Sequence, residues 1–177
     1  LPWKVLNAAD YGVPQERKRL FIVGIRSNFG ISYDFPKPSH GPKASKLHIT
    51  QADAIAGMSM WPKGEFWDQK FHWYYMSRDR RKPWDAPSNT IVSNPRHMPL
   101  HPYSPKLIKV GADKWVFESN GPRRRLSYRE ALLLQGFPRD FELPDDISLK
   151  QKYEVIGNAV PPKLFKAVVK AIPDIWR

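Results

Sequence analysis

The sequence contains no cysteine. These residues therefore carry no disulfide framework, no thiolate metal ligand and no sulfur nucleophile. No run of about 18 apolar residues occurs, which excludes a membrane span of the hydropathic kind. The opening Leu1-Pro2-Trp3-Lys4-Val5 also lacks the charged and then apolar regions of a signal peptide. These absences predict a cytoplasmic protein with no membrane partner. The five histidines show no convincing ligand spacing, so no metal site is expected. A start at Leu rather than Met is expected of a processed, truncated or renumbered product.

Acidic residues are outnumbered. Lys and Arg total 29 against 17 Asp and Glu, giving a net charge of +12 over 177 residues. A polyanionic partner follows, because neutralising phosphates releases counterions wherever Lys and Arg reach a backbone. Charge alone does not separate DNA from RNA or a membrane surface. The excess is spread along the chain rather than gathered in a tail or one amphipathic helix, which disfavours a membrane-surface protein. With 41% hydrophobic and 13% aromatic residues, the chain can build a core.

Three regions differ in texture. Over residues 1–33, Val5 to Ala9 and Arg19 to Arg26 predict two neighbouring strands joined by a loop. The continuous Leu20-Phe21-Ile22-Val23 run suits a strand covered on both faces, as in an α/β sheet. Residues 34–122 are rich in proline and scattered aromatics. Thr50 and Asp53 predict a cap for a short helix within His48 to Met60, and Thr90 to Val92 and Leu107 to Val110 predict short strands. So long a loop-rich stretch implies a recognition role. Over residues 123–177 helical signals return. Ser127 and Glu130 form a capping box, Gly136 ends that helix, and Pro161-Pro162 opens another that continues through Leu164, Val168 and Ile172.

Several groups are candidates for chemistry. Gln15, Arg17 and Arg19 sit before and within an apolar strand. A fixed guanidinium there can donate to a carbonyl and stabilise developing negative charge, although such a charged stretch is more often a solvated loop. Arg78, Arg80, Arg81 and Lys82 lie among Trp73, Tyr74, Tyr75 and Trp84. That mixture suits nucleic-acid contact, and equally a partly buried aromatic mini-core beside a solvated basic loop. Thr90 can reach a phosphate oxygen, yet Thr-Ile-Val is also an ordinary strand tripeptide. Arg96 and His97, shortly after it, are weaker candidates for base contact.

The stretch Asn7-Ala8-Ala9-Asp10-Tyr11-Gly12-Val13-Pro14-Gln15-Glu16-Arg17-Lys18-Arg19-Leu20-Phe21-Ile22-Val23-Gly24 resembles the Gln-x-Arg-x-Arg block of the DNA cytosine-5 methyltransferases. Arg125-Leu126-Ser127-Tyr128-Arg129-Glu130 through Gln135-Gly136-Phe137-Pro138, then Ile156-Gly157-Asn158-Ala159-Val160-Pro161-Pro162, resemble the family's last two blocks. Pro87-Ser88-Asn89-Thr90-Ile91 is similar to the short Thr-containing element of its target-recognition domains. The family's Phe-x-Gly-x-Gly, Pro-Cys-Gln and Glu-Asn-Val motifs are missing.

The resemblance implies an α/β fold in three parts. These are the end of an S-adenosylmethionine-dependent methyltransferase sheet domain (1–33), an irregular, β-containing target-recognition domain (34–122), and its closure with C-terminal helices returning to the catalytic domain (123–177). It implies methyl transfer from S-adenosylmethionine to C5 of a cytosine flipped out of duplex DNA, in a restriction-modification system. The nucleophile would come from an N-terminal methyltransferase polypeptide, and this chain would be inactive alone. Arg19 would contact the flipped base or the catalytic loop, Gln15 and Arg17 would order the pocket and nearby phosphate, and Thr90 would touch the backbone beside the flipped nucleotide. Arg78, Arg80, Arg81 and Arg96 would contact DNA. A Gly157-to-Val160 turn would close one side of a partial cofactor pocket through Asn158, Ala159 and Val160. The alternatives are a non-enzymatic DNA-binding protein that kept the scaffold, and part of an RNA cytosine-5 methyltransferase.

Overall fold

In the computed structural model, which describes residues 1–173, strand β1 (Trp3–Asn7) pairs antiparallel with β2 (Lys18–Ile22). A short 3-10 turn over Ala8–Tyr11 follows β1, and Gly12 closes it at φ +76, a conformation that favours a residue without Cβ. The register sets Leu6 opposite Arg19 and Lys4 opposite Phe21 on one face. Leu6, Phe21 and Val23 pack there against Leu164 and Val168 of helix α4 (Pro162–Lys170). The last described helix thus folds back onto the first strands, and Tyr33 Oη seals the contact by donating to Val168 O at 2.9 Å.

The other face of the ribbon is bare. Trp3, Val5, Leu20 and Ile22 are paired across the strands and are 69%, 52%, 57% and 61% exposed. The sequence predicts cover on both faces for Leu20 to Val23, and here only one is covered. Among the described residues, α4 and the loop around Tyr33 supply one layer and nothing supplies the other.

A second core joins helix α1 (Gln51–Ile55), helix α2 (Tyr128–Gln135) and helix α3 (Leu149–Asn158) around Ile55, Ile91, Met98, Leu134, Tyr153 and Ile156. Each helix begins with a complete capping box, Thr50/Asp53, Ser127/Glu130 and Ser148/Gln151, in which side chains satisfy otherwise orphaned amides. The predicted cap of α1 is present, but the helix is shorter than the 48–60 span, because Gly57 follows at once and Pro62 soon after. Residues 90–92 form no strand; their backbone is pegged by side chains instead. A third cluster packs Tyr75, Leu100 and Leu107 against Phe71 and the hairpin of β3 (Leu107–Gly111) and β4 (Lys114–Phe117).

The loop-rich middle has few ladders to satisfy its carbonyls, and buried arginines do so. Arg125, 1% exposed, lies 4.3 Å from the Phe71 ring centroid and 4.7 Å from that of Tyr75. Its guanidinium donates to the carbonyls of Trp67, Gln69 and Arg96. Arg124 makes a bidentate pair with Glu130 at 2.7 Å on both sides and also donates to Met60 O. Breaking such a buried pair on one side costs about 3–5 kcal/mol, because the survivor is left uncompensated.

His101 touches the same pair. Its Nε2 is 3.5 Å from Glu130 Oε1, but Arg124 already meets that carboxylate at closer range. Burial pushes the imidazole down to about 4, Arg124 adding to the effect and Glu130 opposing it. Nδ1 accepts from Tyr103 N at 3.2 Å, which needs an unprotonated nitrogen. The ring is therefore neutral at pH 7. Below the unfolded value near 6.5 the unfolded chain binds a proton that the folded chain refuses, so stability falls as pH drops from about 6.5 toward 4. Urea unfolding should show this, and His101→Leu should remove that component, so the stability gap between the two proteins narrows with falling pH. A gap independent of pH would show that His101 is not held neutral.

Candidate functional site

Residues 14–17 run beside 88–91 and are fastened to them by their main chains. Ser88 N donates to Pro14 O at 3.0 Å and Glu16 N to Ser88 O at 2.9 Å. Thr90 Oγ1 adds a donation to Glu16 O at 2.6 Å. Two fully enclosed side chains then tie this pair of segments to the C-terminal helices.

Gln15 Nε2 donates to Leu134 O at 3.2 Å and to Gln135 Oε1 at 2.5 Å, while its Oε1 accepts from Ile91 N at 2.9 Å. Arg17 Nη1 donates to Ile91 O at 2.7 Å, and Nη2 to Gly157 O at 2.8 Å and Ala159 O at 3.4 Å. Ile91 is thereby held at both its N–H and its C=O. Gln135 Nε2 completes the network with bonds to Ile156 O at 3.0 Å and Ala159 O at 2.7 Å. Asn7 Oδ1 accepts from Arg17 N at 3.0 Å and sets the start of β2.

Arg17 is 4% exposed, and burial followed by the nearby Arg19 lowers its pKa to about 10. It remains cationic at neutral pH, and three carbonyl dipoles offset the desolvation. Its Nε is buried with no partner. Arg19, two residues on and on the same side of the strand, is exposed and makes one side-chain hydrogen bond, to Lys18 O at 2.7 Å. One guanidinium holds the frame and the other stands at its surface.

Gly157 and Asn158 are the final residues of α3, not part of a free turn as the sequence predicts; the Ser148/Gln151 box that starts this helix was the missed signal. Gly157 is required by close approach. A Cβ there would lie 2.2 Å from Ser93 N and 2.3 Å from Val92 C, both backbone atoms. Asn158 and Val160 are exposed on the outside, and Ala159 is half-buried with its carbonyl turned inward to Arg17 and Gln135.

Thr90, Arg78 and Arg80 line one cleft of about 250 Å³ together with Asn89 and His97. Arg80 is half-buried; its Nε donates to Tyr75 O at 2.9 Å and its Nη1 to His97 O at 3.3 Å. Arg78 is exposed with its Cζ 5.8 Å from the Tyr74 ring centroid. Arg81 lies elsewhere, donating to Ser104 O and Pro102 O at 2.8 and 2.9 Å. Arg96 is on the surface, and its carbonyl accepts from Arg125. The structure brings Gln15, Arg17, Thr90 and Ala159 into one network, with Arg19, Asn158 and Val160 exposed beside it. Sequence reasoning did not single out Gln135, Asn7 or Arg125. Gln135 lies inside a recognised block, but a buried amide has no periodic signature.

Residues 1–174 match the family model described as C-5 cytosine-specific DNA methylase. The chain is 40% identical over 188 residues to the type II methyltransferase M.MthTI of Methanothermobacter thermautotrophicus, covering 96% of this chain and 55% of that protein. It is 39% identical over 182 residues to M.BsuRI of Bacillus subtilis, covering 97% and 42%. The chain thus spans about half the length of these curated relatives. Its fold is similar to that of the S. pombe methyltransferase Dnmt2, with a TM-score of 0.58 at 13% identity over 95% of this chain and 55% of that one.

The contact at Gly157 is directly testable. Gly157→Ala drives a methyl group into the 92–93 backbone and must push α3 away from the carbonyl grip of Arg17, so it should cost roughly 3 kcal/mol or more. Asn158→Ala, exposed one residue later, should stay within about 0.5 kcal/mol of the parent. Chemical denaturation measures both; equal small effects would mean the close approach is not structural.

Proposed function

This chain belongs to the C-5 cytosine-specific DNA methylase family, and we propose that it is the DNA-facing C-terminal part of such an enzyme, acting in a restriction-modification system in the cytoplasm. The observation that carries this reading is the Gln15–Arg17 network. It joins the Gln-x-Arg-x-Arg block, the Thr90–Ile91 element and the final Asn158–Val160 block at one place, although they lie far apart in sequence.

In this reading residues 1–33 end the catalytic sheet domain, 34–122 are the target-recognition domain, and 123–177, of which 174–177 lie outside the described residues, close that domain and return to the first. The packing of Leu164 and Val168 onto Leu6 supports the return. The bare apolar face of Trp3, Val5, Leu20 and Ile22 is where the N-terminal methyltransferase polypeptide, with the cofactor loop and the Pro-Cys-Gln nucleophile, would complete the sheet domain. Burying such side chains contributes roughly 1.5–3 kcal/mol each.

The reaction places demands on this chain that its residues can meet. Attack at C6 of cytosine needs a ring taken out of the stack and polarised. Arg19, exposed and cationic, would donate to the flipped base or the catalytic loop, a contact that strengthens as charge develops. Gln15 and Arg17 would act behind it by fixing the backbone. Thr90, Arg78, Arg80, Arg81 and Arg96 would serve DNA contact, with Arg78 and Arg96 the more exposed of the arginines. S-adenosylmethionine supplies the methyl group when bound. Asn158, Ala159 and Val160 fit one wall of its pocket, since an amide and an apolar side chain are exposed there while the backbone behind them is held rigid from inside. The missing part would carry the rest.

The purified chain should transfer no methyl group to duplex DNA, and activity should appear on adding a polypeptide with the missing motifs. In that mixture Arg19→Ala should lower turnover at saturating DNA by about 10²-fold while changing the DNA dissociation constant less than about threefold, because a donor aimed at the reacting base acts on the transition state. Its exposure keeps the substitution structurally mild. Turnover by the chain alone, or equal losses of turnover and binding in Arg19→Ala, would remove the corresponding part of the proposal.

A further inference from the structure

The cleft beside Thr90 has an electrostatic feature that the network behind it does not explain. Arg78, Arg80, Asn89, Thr90 and His97 line it. His97 belongs to a cluster of rings and lies tilted at 53° and 59° to Tyr74 and His72. Its centroid is 5.3 Å from Tyr74 and 5.9 Å from His72, and the latter two are stacked at 11°. Arg80 fixes the backbone beneath by donating to His97 O, and the Asn94 side chain caps the short 3-10 turn that carries it.

The groups acting on His97 are Arg80, His72, Arg125 and Arg78. All are basic. The one carboxylate lining the cleft, Asp79, accepts from Arg81 N at 2.9 Å. A concave site where Arg78, Arg80 and His97 face a single carboxylate has a basic excess, which attracts an anion with several acceptor oxygens. Its arginines are positioned by the protein's own carbonyls and ring faces, so little ordering remains on binding.

We propose that this cleft seats a phosphodiester of the DNA backbone, with the His97 imidazole as one of its donors beside Arg78 and Asn89. The proposal rests on the reading of the chain as a DNA-binding part of a methyltransferase, and it assigns a ligand to His97 and the cleft.

A consequence distinguishes His97 from an arginine. In the free chain burial, and then the surrounding cations, hold its pKa below the ordinary 6.5. A phosphate beside the ring favours the protonated form and raises that pKa, so binding takes up a proton. With the sign worked through, affinity rises as pH falls through the bound-state pKa and stops rising below the free-state pKa.

Calorimetric titration of the full chain with a short duplex oligonucleotide at low salt, in buffers of different ionisation enthalpy, measures this uptake. The expected result is uptake of a fraction of a proton and an affinity gain of about three- to tenfold between pH 7.5 and 6. His97→Gln should abolish the His97 share of both, while His97→Lys, a permanent cation, should bind at pH 7.5 about as tightly as the parent at pH 6. His72→Gln should leave most of the uptake in place. Uptake that survives His97→Gln, or binding without any uptake, overturns the phosphate seat and leaves the DNA-binding reading standing. No binding to duplex DNA at any pH overturns both.

Discussion

Buried guanidiniums aimed at backbone carbonyls are the interaction on which the rest of this structure depends. Between α1 and α2 the chain has one short hairpin and little other regular structure, so its peptide groups lack ladder partners. Leaving such groups unpaired in an interior costs about 1–3 kcal/mol each. Arg80, Arg81, Arg124 and Arg125 meet the carbonyls of residues 60, 67, 69, 75, 96, 97, 102 and 104 among others, and Arg17 does the same for Ile91, Gly157 and Ala159. A planar fork of five donors suits this because one side chain can satisfy several carbonyls that point in different directions. A basic composition therefore has two uses in this chain, and only part of the positive charge faces outward.

The same logic places the site. An amide or guanidinium that bridges two segments fixes both in register, and the side chains of Gln15 and Arg17 together bridge three, 91, 134–135 and 157–159, while the Arg17 backbone N–H holds a fourth at Asn7 Oδ1. The bridge needs the segments close enough for bonds of 2.5–3.4 Å, which is why α3 can pass the 92–93 backbone only at a glycine. Because the interior is densely packed, a shift at one anchor moves the residues resting on it, the exposed Arg19 and Asn158 and the half-buried Thr90. Rigid support beneath an exposed group is what a site selective for one geometry requires.

Much of this was legible in the sequence, unevenly and for physical reasons. Capping boxes are local, so Thr50/Asp53 and Ser127/Glu130 located two helix starts correctly, and Gly136 at φ +89 ended α2 as its type suggests. The third box, Ser148/Gln151, is equally local, but the expectation there rests on the resemblance alone, which implies a turn over Gly157 to Val160 where the structure has the end of α3. The continuous apolar run Leu20 to Val23 reads as a strand covered on both faces, but the structure covers one face only, because among the described residues α4 and the loop around Tyr33 pack on one side of the ribbon. What could not be read was the partner of each arginine. Charge patterning treats Arg81 and Arg78 alike, whereas Arg81 is held by two carbonyls and Arg78 stands exposed beside Tyr74. That difference depends on contacts across 21 to 23 residues of irregular chain, for which sequence has no periodic signal.

Arg17 and Arg19 show how one strand divides two tasks. Arg17 stands just before β2 and Arg19 within it, near enough that the charge of Arg19 adds to burial in bringing Arg17 down to about 10. A lone buried cation would be intolerable, but three carbonyl acceptors offset the loss of water. Those acceptors and its burial withhold the Arg17 guanidinium from a ligand, and its unpaired Nε is enclosed. Arg19 keeps its hydration and most of its donors. On the proposed reading, Arg19 is free to respond to charge developing on a base because it is not committed to the protein, whereas Arg17 holds the frame because it is. The alternation of side chains along a strand returns two residues with the same heading at a spacing of two, and burial then separates their roles.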